Sequence, residues 1–70
     1  MRVVVNGEER EVAGGTTVHG LIESLDLQPA AVAVEHNGRV LPRGDFGTTT
    51  LADGDRLEIV RFVQGGNPTI

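Results

Sequence analysis

Cysteine, lysine, tryptophan and tyrosine are all missing from this chain. Without cysteine there is no disulfide staple, no thiolate metal site and no cysteine nucleophile. His19 and His36 are the whole histidine complement, too few for a zinc site with this pattern of carboxylates. Phe46 and Phe62 are the aromatic complement, so no platform exists on which bases would stack. The net charge of −4 leaves no basic stripe to displace phosphate counterions, which excludes a nucleic-acid binder and mildly favours a basic partner. All six basic residues are arginine, so the chain offers no side-chain amine for isopeptide attachment. "MRVVVNGEER" has three consecutive apolar residues before polar ones return, which is neither a signal-peptide core nor a membrane span. A cytoplasmic protein is expected.

What is present suits one small domain of 70 residues, a size at which a single core supplies only about 3–5 kcal/mol. Regular, well-matched elements are therefore required. "RVVVNGEEREV" reads as a hairpin, with strands Arg2 to Val5 and Glu8 to Val12 around Asn6-Gly7, a dipeptide suited to positive φ at both turn positions. After Gly14-Gly15 and the capping hydroxyls of Thr16-Thr17 the period changes. Val18, Leu21, Ile22 and Leu25 fall at i, i+3, i+4 and i+7 and predict one long helix, ended by Pro29. Gly20 within it costs about 1 kcal/mol against alanine, which suggests a close backbone approach there.

"AVAVEHNGRVLP" repeats the hairpin signal around Asn37-Gly38 and closes at Pro42. "RGDFGTTTLADGD" is irregular, with Phe46 as a core plug and Arg43 and Asp45 positioned to pair locally. Asp53-Gly54-Asp55 turns into "RLEIVRFV", where Leu57 and Ile59 share one face while Glu58, Val60 and Phe62 share the other. The order ββαββ plus a final strand predicts an α+β two-layer fold, with first and last strands side by side in parallel. "AGGTTVHG" mimics a Gly-rich phosphate loop but lacks its lysine, and no constellation here activates a nucleophile, so an enzyme is not expected.

"GTTVHGLIESLDL", "VAVEHNGRVLPRGDF", "LADGDRLEIVRFV" and Gly65-Gly66 together resemble the ThiS family of sulfur carriers in thiamin biosynthesis, over residues 1–66. The resemblance implies a ubiquitin-like β-grasp fold, with a mixed four- to five-stranded sheet packed on one helix. It further implies a carrier whose final glycine carboxylate is adenylated by a ThiF-like enzyme using ATP and Mg²⁺. A persulfide donor then converts it to a thiocarboxylate, which serves a ThiG-like thiazole synthase. No cofactor is expected on this chain itself. Carried over, Gly66 is the reactive position and Gly65 its partner; Val60 and Phe62, with Gln64 beyond them, are candidates for a docking patch from their outward strand face, the alternative being that Val60 and Phe62 cover the sheet edge or meet Val3 and Val5.

The physical reasons stand apart from the family. A carboxylate is a poor electrophile until its oxygen is turned into a phosphate leaving group, and a tail without Cβ atoms enters a narrow, water-excluding slot. Extended, Gln64 to Gly66 reach roughly 10 Å beyond the last strand. Asn67 to Ile70 depart from the family pattern, because an amide follows Gly66 and leaves it no carboxylate. The expectation adopted is a pro-form cut after Gly66 by a peptidase, with residues 1–66 as the carrier domain and 67–70 as a removed or disordered extension. An extension added on expression, or loss of the carrier role, are the alternatives. Rival functions are a carrier for molybdopterin or another sulfur metabolite, and a ubiquitin-like interaction module that carries nothing.

Overall fold

The computed structural model describes residues 1–62 and the short strand Pro68–Thr69. β1 (Arg2–Val5) and β2 (Glu8–Glu11) form the first hairpin, followed by α1 (Val18–Ser24), β3 (Val32–His36), β4 (Arg39–Leu41), β5 (Arg56–Phe62) and β6 (Pro68–Thr69). The strand order is β2-β1-β5-β3-β4, with β6 paired to β5. β1 and β5 run parallel, Val4 opposite Arg56 and Val5 opposite Leu57, while β5 is antiparallel to β3. A mixed sheet covered on one face by one helix is the β-grasp arrangement the sequence predicts.

Alternation along the strands builds the core. Val3 and Val5 of β1, Val32 and Val34 of β3, and Leu57 and Ile59 of β5 point inward and are buried. Val18, Leu21 and Ile22 of α1 close over them, with Phe46 and Leu51 entering from the irregular segment. Phe46 is the predicted plug. Leu51 is a core residue that the Gly- and Thr-rich surroundings concealed.

The helix is shorter than its apolar spacing predicts. It covers seven residues, and Leu25 is already its C-cap. Asp26 takes a left-handed conformation (φ 60°), and the Leu27 amide reaches back to the Ile22 carbonyl at 3.2 Å, a reversal that ends the helix before Pro29 acts. Leu25 and Leu27 still pack partly against the core from this exit turn, which is why the i+7 position looks helical. At the other end Thr17 Oγ1 accepts the Gly20 amide at 3.1 Å, as its capping position suggests. The close approach expected at Gly20 is absent. A Cβ there meets Thr17 Oγ1 at 3.5 Å and Thr16 Cγ2 at 3.7 Å, ordinary contact distances.

Arg43 and Asp45 do not form the predicted pair. The Arg43 guanidinium instead donates to the Pro29 carbonyl at 3.1 Å and the Val32 carbonyl at 2.8 Å. Arg43 and Asp45 share one tight turn capped by Pro42, and the Arg43 side chain leaves it toward the start of β3.

Both Asn-Gly turns do more than reverse the chain. Asn6 and Asn37 adopt φ of 50° and 52°, each followed by glycine at positive φ, as the two-residue turn demands. The Asn6 amide group then accepts from the Ile59 N–H at 2.8 Å and donates to the Ile59 carbonyl at 3.1 Å. A side chain thus prolongs the parallel ladder past Val5. On the opposite flank, Asn37 Oδ1 accepts from the Arg56 N–H at 2.9 Å, and the Asn37 N–H donates to the Arg56 carbonyl at 2.8 Å.

Replacing Asn6 by glycine keeps the turn conformation accessible and removes both bonds to β5. The expected outcome is a loss of about 1–3 kcal/mol in urea unfolding, with faster amide exchange at Ile59. An unchanged exchange rate at Ile59 would refute the side-chain ladder.

Candidate functional site

The site region lies where β5 ends. β5 pairs with β1 as far as Leu57 and with β3 as far as Arg61, and Phe62 is its last residue. Gln64, Gly65 and Gly66 lie outside the described residues. Past them, Pro68 pairs with Phe62 and Thr69 with Arg61 in antiparallel register. Residues 68 and 69 thus pair with the end of β5.

Val60 and Phe62 face away from the core, as their alternation predicts. Val3 and Val5 are fully occupied on the inner face, so Val60 and Phe62 do not meet them. Phe62 is 38% exposed and Val40, on the neighbouring hairpin, 75%. The register places Ala33 opposite Val60 and Val40 opposite Glu35, so one outer face gathers Ala33, Val40, Val60 and Phe62. Val40 was missed in the sequence. Its signal was a β-branched residue whose strand neighbours, Arg39 and Leu41, point to the core side.

His36 and Asp55 make a structural contact. His36 Nε2 lies 2.9 Å from Asp55 Oδ2, the two side chains 21% and 12% exposed. Asp55 also accepts from the Ala52 amide at 2.9 Å and from Asn37 Nδ2 at 3.1 Å. Burial pushes the Asp55 carboxyl up, but the bonds from His36, Ala52 and Asn37 outweigh it, and its pKa lies below the ordinary carboxylate value. Through Asp55, His36 ties β3 to the turn before β5. His19, on the exposed side of the helix, lies 3.5 Å from Glu23.

The hollow beside the Gly-rich loop, about 540 Å³, is lined by Thr16, Thr17, Gly20 and Ser24 among others. The first three helical amides are already taken, Val18 by the Thr49 carbonyl, His19 by the Phe46 carbonyl and Gly20 by Thr17 Oγ1, and the helix is too short to hold an anion by its dipole. Among the described residues no group of three or more His, Cys, Asp or Glu side chains is arranged to hold a metal ion. No helix among them is long and apolar enough to cross a membrane.

This architecture, a mixed sheet covered by one helix with an apolar patch on the outer face near the end of β5, is that of a β-grasp domain. The ThiS family model matches residues 3–66, and the chain belongs to the ThiS family. It is 32% identical over 66 residues to the sulfur carrier protein ThiS of Escherichia coli, covering 94% of this chain and 100% of that protein. It is 40% identical over 67 residues to a thiazole synthase of Paramagnetospirillum magneticum, covering 96% of this chain and 21% of that protein. The chain thus spans about a fifth of the length of such thiazole synthases. The crystal structure of the thiamine biosynthesis protein ThiS from Geobacter metallireducens superposes with a TM-score of 0.80 at 40% identity, covering 94% of this chain and all of that one.

Because the folded-state pKa of Asp55 is depressed, its carboxylate contributes stability that is complete above the unfolded value near 3.9 and is lost as pH falls through the folded value. Asp55→Asn removes this contribution. Urea midpoints followed from about pH 7 to pH 2 should decline less steeply in the variant than in the wild type, the two curves converging at the acid end. Parallel curves would deny Asp55 this role.

Proposed function

We propose that this chain is a sulfur carrier for thiazole formation in thiamin biosynthesis, with the Gly66 carboxylate as the loading point, and that it is not itself a catalyst. The observation that carries the reading is continuity. The family match runs from residue 3 to residue 66, and β5 ends at Phe62 on the outer face that also carries Val40 and Val60.

The chemistry follows from what a carboxylate lacks. Its oxygen attacks the α-phosphorus of ATP and expels pyrophosphate, giving an acyl-adenylate with AMP as a competent leaving group. The terminal sulfur of a persulfide displaces AMP, and a thiol then cleaves the S–S bond to leave a thiocarboxylate. The ATP and Mg²⁺ belong to a separate adenylating enzyme. The carrier's contribution is mechanical: a folded body that docks, and Gly65-Gly66 without Cβ atoms to enter a cleft that excludes water. A thiazole synthase, the activity named for two of the relatives, is the proposed recipient. In the sequence an amide joins Gly66 to Asn67, so loading requires its hydrolysis by a peptidase.

Two measurements test this. A chain ending at Gly66, incubated with the same organism's adenylating enzyme, ATP, Mg²⁺ and a persulfide donor, should gain mass equal to one sulfur-for-oxygen exchange, while the 70-residue chain should not. Absence of the gain in the shorter chain, or its presence in a chain that retains Ile70, defeats the proposal. Separately, Phe62→Ala should weaken binding to the adenylating enzyme about tenfold or more with the melting temperature preserved, since an exposed aromatic at the mouth of the tail is placed as an anchor. Undiminished affinity would remove Phe62 from the docking face.

A further inference from the structure

The outer sheet face contains an arrangement that stability alone does not explain. The β3–β5 register sets Glu35 directly opposite Glu58. Such cross-strand partners have Cβ atoms about 5 Å apart, and like charges there are destabilising. Glu9 and Glu11 pair with Arg2, Glu23 with His19 and Asp55 with His36, whereas Glu8, Asp26, Asp45 and Asp53 are not so paired among the described residues; Glu35 and Glu58 differ from these in facing each other across a ladder. Among the described residues, neither Glu35 nor Glu58 has a cation within ion-pair distance. Arg56 shares their face and stays outside that distance.

Both carboxylates border a shallow hollow of about 120 Å³ that Ala33, Val34, Val40 and Val60 complete. Metabolite pockets run to about 300 Å³ or more, so this one has room for a single side chain. Two carboxylates are too few to retain a metal ion among the described residues. The occupant is therefore a basic side chain on a macromolecular partner. Its apolar surround strengthens the attraction, because a charge pair closed off from water is screened less. The position also fits. Val60 is two residues from Phe62, and the four residues from Phe62 to Gly66 span at most about 13 Å, so an enzyme gripping Gly66 is within reach of this face.

We propose that Glu35 and Glu58 together receive an arginine side chain presented from an apolar surround by the adenylating enzyme. A planar guanidinium can engage both carboxylates and relieve their mutual repulsion on docking. This rests on the carrier reading above and adds to it the chemistry of the partner's contact.

The test titrates the chain ending at Gly66 into the same organism's adenylating enzyme by calorimetry, from about 50 to 500 mM salt. Wild-type affinity should fall as salt rises. Glu35→Gln with Glu58→Gln should bind about tenfold more weakly at low salt, lose most of the salt dependence, and melt no lower than the wild type. A second variant, Glu58→Arg, pairs with Glu35 inside the chain; it should raise the melting temperature and abolish tight binding. Either variant binding like the wild type overturns the inference while leaving the carrier reading intact. A wild-type chain that the enzyme neither binds nor converts defeats the carrier reading itself. A wild-type dimer in sedimentation, dissociated by the double substitution with enzyme affinity unchanged, would assign the face to a second copy and overturn the proposal.

Discussion

The structure depends on how β5 is held. This strand lies at the centre of the sheet, contributes Leu57 and Ile59 to the core, and leads into the diglycine segment. Its flanking strands are brief, and β1 runs out at Val5, opposite Leu57. Asn6 takes over where backbone pairing stops, offering its amide group to Ile59 as a strand residue would. Asn37 does the same service at Arg56 on the other flank. Each asparagine is used twice, once for its tolerance of positive φ and once for its side-chain amide. In a chain without disulfides, with a core of modest size, this economy is what aims the end of β5.

The sheet face away from the helix follows from the same alternation. Once Leu57 and Ile59 are committed inward, Glu58, Val60 and Phe62 are committed outward, and β3 and β4 add Ala33, Glu35 and Val40. The two faces therefore answer to different demands. The inner one is closed by valine, leucine, isoleucine and phenylalanine, with no polar side chain buried among them. The outer one mixes apolar surface with a pair of opposed carboxylates, a combination suited to recognition.

Most of the fold was legible because strand period, turn chemistry and helical spacing agreed with one another. Asn6-Gly7 and Asn37-Gly38 fixed both hairpins, and the inward and outward sets on β5 were read correctly from alternation alone. The errors have a common cause. Helix length was misjudged because Leu25 keeps helical spacing while serving as a cap, and Leu27 returns to the core by a different route. The Arg43–Asp45 pair looked favourable in sequence, yet carbonyls at Pro29 and Val32 were nearer in space. Leu51 and Val40 were passed over since their neighbours in sequence say nothing of their neighbours across the fold. Local pattern carries direction and period; it does not carry distance. For the candidate site, the outward Val60 and Phe62 were legible, while the Glu35–Glu58 juxtaposition required the register.

The parallel pairing of β1 with β5 joins residues separated by most of the chain, Val4 with Arg56. During synthesis, the first hairpin and the helix leave the ribosome well before the strand that unites them. Their apolar faces have nothing to close against until it emerges, so the sheet centre forms late and the order of events is set by topology. Until that strand emerges the sheet has no centre, so the outer face that β3 and β5 share is among the last features of the fold to be completed.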